Sequence, residues 1–136
     1  MTTWSAPVRF AEADQQGIAF NAHYLTWCDE AMTAWLREIE LPYDGLLARG
    51  LDTRLVASAL QWAAPVRWGD VVEVDAAAER VGRTSFVVRF EVHVGGRACC
   101  TVATTYVLTD LDGLPRPVPD DVRARLTGEP AATLPA

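Results

Sequence analysis

AHYLTWCDEAMTAWLREIE, residues 22–40, decides how this chain folds. Thr26, Asp29, Glu30, Thr33, Arg37 and Glu40 follow one another at steps of 3, 1, 3, 4 and 3, which traces one polar stripe along a helix. Tyr24, Leu25, Trp27, Cys28, Ala31, Met32, Ala34, Trp35, Leu36 and Ile39 fill most of the remaining surface. So wide an apolar arc belongs to a helix embedded on several sides, not to one resting on a surface. The pattern predicts a helix from about Ala22 to Glu40, with Asn21 as a plausible N-cap and Pro42 limiting the other end.

Beyond this helix the period changes from 3.6 to 2. Residues 43–49 allow one or two further helical turns, and residues 53–63, 71–81, 84–94 and 97–108 each read as strands. The third is the cleanest: Phe86, Val88, Phe90, Val92 and Val94 fall on one side, and Val87, Arg89, Glu91 and His93 on the other. The connections WGD (68–70), GR (82–83) and GG (95–96) are short turns, which imply an antiparallel sheet. Residues 4–10 read as a short strand, placed at an edge by Pro7. A last helical turn is expected near 121–126. The expected organisation is one α+β domain over residues 1–126, an antiparallel sheet wrapped around one long central helix, with a disordered tail over 127–136.

The chain has 136 residues, enough for one well-buried core. No apolar run approaches the roughly 20 residues of a membrane span. The first residues lack a charged-then-apolar leader pattern, so a cytoplasmic location is expected. Cys28, Cys99 and Cys100 give an odd count without metal-type spacing, and neighbours in a strand point to opposite faces. No metal and no cofactor is expected. A net charge of −6 disfavours general nucleic-acid binding. All twelve basic residues are Arg, so a phosphate would be met by guanidinium or by backbone N–H.

Upstream of the helix, Glu12, Asp14, Gly17, Ile18, Phe20 and Tyr24 in EADQQGIAFNAHYLTWCDEA resemble the acidic-loop signature of the 4-hydroxybenzoyl-CoA thioesterase family, whose fold is the hot-dog. APVRWGDVVEV, RVGRTSFVVRFEV and GLPRPVPDDVRARL are similar to further family segments in the same order, and the resemblance covers about residues 5–126. It implies an acyl-CoA thioesterase whose catalytic carboxylate is Asp14 and whose coenzyme A is contacted by the turn at Arg83, Thr84 and Ser85. It also implies an active site built where two subunits meet, in a homo-oligomer, dimer or dimer of dimers.

The residues fit that chemistry. Asp14 can act as general base or nucleophile. The backbone N–H groups that open the helix, near Asn21, Ala22 and His23, lack intrahelical partners and favour developing negative charge. Asn21 joins the catalytic candidates, and its role as a cap is compatible with orienting substrate. His23 is either half of an Asp–His dyad or a helix-surface or subunit contact. Glu12 stands where the family more often has Asp and reads as structural or solvated. Tyr24 joins the substrate-contacting set, and Ser58 is a possible polar contact. Trp62 is placed on one strand face with Arg54, Val56, Ser58 and Leu60. Trp27, Trp62 and Trp68 are candidates to line an acyl pocket, while Trp35 reads as core. The alternatives are an acyl-carrier-protein thioesterase, a dehydratase of the same fold, and a non-catalytic acyl- or CoA-binding module.

Overall fold

The apolar arc of residues 22–40 is met by a five-stranded antiparallel sheet. The computed structural model describes residues 2–128. In chain order it has β1 (Trp4–Pro7), a 3-10 turn (Phe10–Glu12), α1 (His23–Glu38), α2 (Tyr43–Ala48), β2 (Leu51–Trp62), β3 (Val71–Val81), β4 (Ser85–Val94), β5 (Arg97–Asp110) and α3 (Asp120–Thr127). The strands lie in the order β1-β3-β4-β5-β2. The tail expected over 127–136 falls almost wholly outside the described residues; Thr127 itself ends α3. Among the described residues no helix is long and apolar enough to cross a membrane.

The core follows from two periodicities. α1 buries Tyr24, Trp27, Cys28, Ala31, Met32, Trp35 and Leu36, the wide arc seen in the sequence. The sheet answers with every second residue: Val72 and Val74 of β3, Val88, Phe90 and Val92 of β4, and Val102, Tyr106 and Leu108 of β5 are all buried. Phe90 has no exposed surface, so truncating it to Ala costs about 3–5 kcal/mol.

Three sequence expectations are corrected. Ala22, not Asn21, occupies the position before α1, with helical angles and no side-chain cap bond. The helix is entered through a turn in which His23 N–H donates to Phe20 O at 3.1 Å, so backbone does part of the work of a cap. β2 and β3 are not hairpin partners. They lie apart in the sheet, and residues 63–70 carry the chain between them. A bulge between Leu55 and Ala57 breaks the alternation of β2. Ser58, Leu60 and Trp62 pair with Thr104, Val102 and Cys100, whereas Arg54 pairs with Val107 on the opposite face. Arg54 therefore leaves the group assigned to Trp62, and Leu55 joins it.

β2 is an edge strand of 12 residues. Leu55, Val56 and Trp62 are 44%, 53% and 48% exposed. At the other edge β1 is short, and α3 packs against β3. The open apolar edge is thus β2.

Candidate active site

Residues 12–20 form a small hairpin in front of α1. Phe20 N–H donates to Glu12 O and Asp14 N–H to Ile18 O, both at 2.9 Å, and Ala13 bridges Ala19. Gly17 closes the turn at φ +75, which a residue with a Cβ rarely adopts. The hairpin is fixed to the 63–70 connection by Ala19 N–H on Val66 O at 2.7 Å and by the Ile18–Arg67 bridge.

Asp14 is exposed at the tip, its Oδ1 accepting the Gln16 N–H at 2.8 Å. One carboxylate oxygen therefore stays open to a proton or a carbonyl carbon. Behind it begins α1. Among the described residues, no backbone or side-chain acceptor takes the N–H of Asn21, Ala22 or Tyr24, whereas His23 N–H is committed to Phe20 O. Leu25 N–H has no acceptor among them either, so the open donors at this end include Asn21, Ala22, Tyr24 and Leu25, and His23 drops out as a backbone donor.

A cleft of ≈ 320 Å³ opens beside this helix end, lined by Ile18, Ala19, Asn21, Tyr24, Trp62, Ala63, Ala64 and Pro65. Tyr24 is buried, its ring 5.0 Å from Trp27 and 5.8 Å from Trp62 by centroid, and burial pushes its hydroxyl pKa up. The hairpin, the helix end and the end of β2 thus converge on one cleft.

The other candidates fall elsewhere. His23 is half-buried with its ring against Phe20, and no side-chain bond joins it to Asp14 among the described residues. The other histidine, His93, sits 3.2 Å from Asp75 on the sheet face away from α1. Ser58 lies on the α1 side of β2 and shares a 2.9 Å hydrogen bond with Thr104, four residues or about 13 Å along the strand from Trp62. Trp27 and Trp35 are buried, and Trp68 is 63% exposed and packs on Phe10. Burial pushes the Cys28 thiol up to about 12 and Cys100 to about 11, so neither supplies a thiolate at neutral pH.

Arg83, Thr84 and Ser85 make the β3–β4 turn. Its backbone is braced: Val118 N–H donates to Arg83 O at 2.8 Å, and the Arg123 guanidinium donates to Val81 O and Gly82 O. The Arg83 side chain is exposed. This turn stands at the opposite end of β3 from the hairpin. Eleven residues of strand at about 3.3 Å each separate the two ends by roughly 35 Å. The Asp14 hairpin and the Arg83 turn thus stand at opposite ends of β3.

The sequence did not reveal the links of Glu12. It is buried, and its carboxylate accepts from Arg9 N–H at 2.8 Å, Trp27 Nε1–H at 2.9 Å and the Arg9 guanidinium at 3.2 Å. Of the two readings offered for Glu12, the structural one holds and the solvated one does not.

The sequence pattern described as Thioesterase superfamily matches residues 16–101, more than half of the chain. The chain belongs to the thioesterase superfamily. Among superfamily relatives, "Putative acyl-CoA thioesterase YneP" of Bacillus subtilis is 30% identical over 67 residues, 49% of each chain. The curated relatives it matches are aligned over 66% and 49% of their own lengths. The structure of BH1999, a gentisyl-coenzyme A thioesterase, superposes with TM-score 0.81 at 25% identity, covering 88% of this chain and 98% of that one. A 4-hydroxybenzoyl-CoA thioesterase variant solved with 4-hydroxybenzoyl-CoA shares the fold with TM-score 0.83 at 20% identity, covering 91% and 96%. The hot-dog architecture expected from the sequence is the fold of this superfamily member.

Proposed function

We propose that this chain hydrolyses acyl-CoA thioesters, with Asp14 as the reacting carboxylate. One observation carries the reading: Asp14 is an exposed carboxylate on a braced hairpin, paired through its N–H with Ile18, and Ile18 lines an aromatic-walled cleft together with Asn21 and Tyr24 at a helix end with unpaired N–H groups. The thioester carbonyl sits between the two. As general base, Asp14 takes a proton from water while the water oxygen bonds to the carbonyl carbon. The oxyanion that forms is held by the N–H groups of Asn21, Ala22 or Tyr24, aided by the helix dipole. The C–S bond then breaks, and the departing thiolate takes the proton back from Asp14, leaving free acid and thiol. As nucleophile, Asp14 would instead attack the carbonyl carbon and expel the thiolate, which takes a proton from water, and a further water would cleave the resulting anhydride to free acid and restore Asp14.

The acyl group fits against Tyr24 and Trp62, with Asn21 orienting it and Ser58 further along the same face. Arg83, with the hydroxyls of Thr84 and Ser85, suits the nucleotide phosphates of coenzyme A. Because that turn lies a strand's length from Asp14, the working site takes the turn from a second subunit. The long apolar edge of β2 supports such an assembly, since exposed edges of this kind are normally covered. The test is hydrolysis of a panel of acyl-CoAs varied in length and ring content, by wild type and Asp14→Asn. Turnover by the wild type and its loss in a folded variant is expected; no turnover of any thioester leaves a non-catalytic binding module.

A further inference from the structure

Glu12 is a carboxylate in the wrong place for economy. Its side chain is 4% exposed, yet it sits two residues from Asp14 in the exposed hairpin. Burying an anion is unfavourable unless donors surround it, and well-packed apolar residues commonly serve stability as well or better. Here three donors converge on it. Two come from Arg9, just upstream. The third, the indole N–H of Trp27, comes from α1 and is the one side-chain hydrogen bond between the hairpin and α1 among the described residues.

The position of Trp27 gives that bond its consequence. Trp27 lies one turn after His23, and side chains on a helix lean back toward its N-terminus. The bond therefore pins the hairpin to the same first turns of α1 whose leading N–H groups are open. The Glu12 backbone closes the hairpin as well, accepting from Phe20 N–H at 2.9 Å. One residue thus ties both arms of the hairpin and the helix into a single body.

We propose that Glu12 is a positioning residue: its carboxylate, bonded to Trp27, sets the distance between Asp14 and the N–H groups at the start of α1. This rests on the reading of Asp14 as the reacting carboxylate. A misplacement of about 1 Å in such a constellation lowers the rate by a factor on the order of 10². Glu12 is buried and does not line the Tyr24–Trp62 cleft, so the effect belongs in kcat and not in KM.

The test uses Glu12→Ala, Trp27→Phe and the double variant in the full chain, with Trp27→Phe keeping bulk in the core. Each single change is expected to lower kcat on the order of 10- to 100-fold with KM within about threefold, and the double variant to be no worse than the poorer single one. Amide hydrogen exchange gives a readout independent of turnover. The amides of Asp14 and Ala19 should lose protection in both single variants while those of β4 and β5 keep theirs. The indole resonance missing from Trp27→Phe should move upfield in Glu12→Ala. If the wild type hydrolyses nothing, the proposed function fails and the exchange data still decide whether Glu12 holds the hairpin. Unchanged protection at Asp14 and Ala19, or a folded Glu12→Ala with wild-type kcat, or additive losses in the double variant, would overturn the proposal.

Discussion

Tyr24 of α1 and Trp62 of β2 meet edge to face, with ring centroids 5.8 Å apart at 90°. The contact joins the start of the central helix to the end of the edge strand, and the two rings form one corner of the cleft. Tyr24 is sealed in while Trp62 is 48% exposed, so the indole offers a face to whatever enters. Trp62→Ala should therefore cost only about 1 kcal/mol of stability, the scale of one aromatic pair. Its effect on acyl-CoA binding should be larger, a KM raised about tenfold for ring-bearing acyl groups, equivalent to about 1.4 kcal/mol. Urea unfolding and steady-state kinetics on the same preparation separate the two. A large stability loss with unchanged KM would return Trp62 to the core.

Asp14→Asn replaces the carboxylate with a nearly isosteric amide that still accepts the Gln16 N–H. The fold should survive, and kcat should fall on the order of 10²- to 10⁴-fold, the range for acid–base groups. Circular dichroism and turnover on one acyl-CoA check this. A folded variant with near-normal turnover removes Asp14 from the mechanism.

Arg83→Ala should raise KM for acyl-CoA more than it lowers kcat, because a phosphate contact far from the carbonyl contributes equally to ground and transition states. The penalty should shrink with a pantetheine thioester lacking the nucleotide. Equal penalties on both substrates would make Arg83 structural, a role its exposed side chain does not suggest.

Glu12 also makes stability depend on pH. Burial alone would raise its carboxyl pKa, but the hydrogen bonds from the Arg9 side chain, Arg9 N–H and Trp27 outweigh it and hold it below the usual carboxylate value. A group whose folded-state pKa is depressed releases its proton more readily folded than unfolded. Its contribution is present above the ordinary Glu value of about 4.3 and is lost as pH falls through the lower folded value. Arg9 is largely exposed, so its share is screened by solvent and salt. Urea unfolding between pH 7 and 3 should show wild type losing more stability than Glu12→Gln over that acid range. Parallel curves would mean the Glu12 pKa does not differ between the folded and unfolded states.

The helix, the strands and the acidic loop were legible because each rests on a local pattern, whereas the pairing that folds the loop into a hairpin was not. The arc of α1 and the alternation of Phe86, Val88, Phe90 and Val92 survive in any tertiary setting that buries one side. What failed was non-local or one residue wide. The bulge at Leu55–Ala57 shifts the face of everything before it, and an alternation count does not register it. The separation of β2 from β3 depends on pairing partners, while the turn WGD looks the same in a hairpin and a crossover. Asn21 has the composition of a cap, but the Phe20 carbonyl had already closed that turn. The Glu12–Trp27 bond spans 15 positions and has no motif; only an unexpected acid in an otherwise family-like segment hinted at it. The cleft was half legible: Tyr24 and Asn21 lie in the signature, while Trp62 to Pro65 arrive from another strand.

The most direct measurement mixes two subunits impaired in different ways. In a symmetric dimer whose sites combine one chain's Asp14 with the other's Arg83, an Asp14→Asn and Arg83→Ala heterodimer holds one site with both groups intact. Equal amounts of the two variants, exchanged through mild denaturant and assayed at substrate well below KM, should recover about one quarter of wild-type activity, since half the dimers are mixed and half their sites are whole. A rate equal to the average of the two parents, or a fully active monomer by light scattering, would contradict a shared thioesterase site.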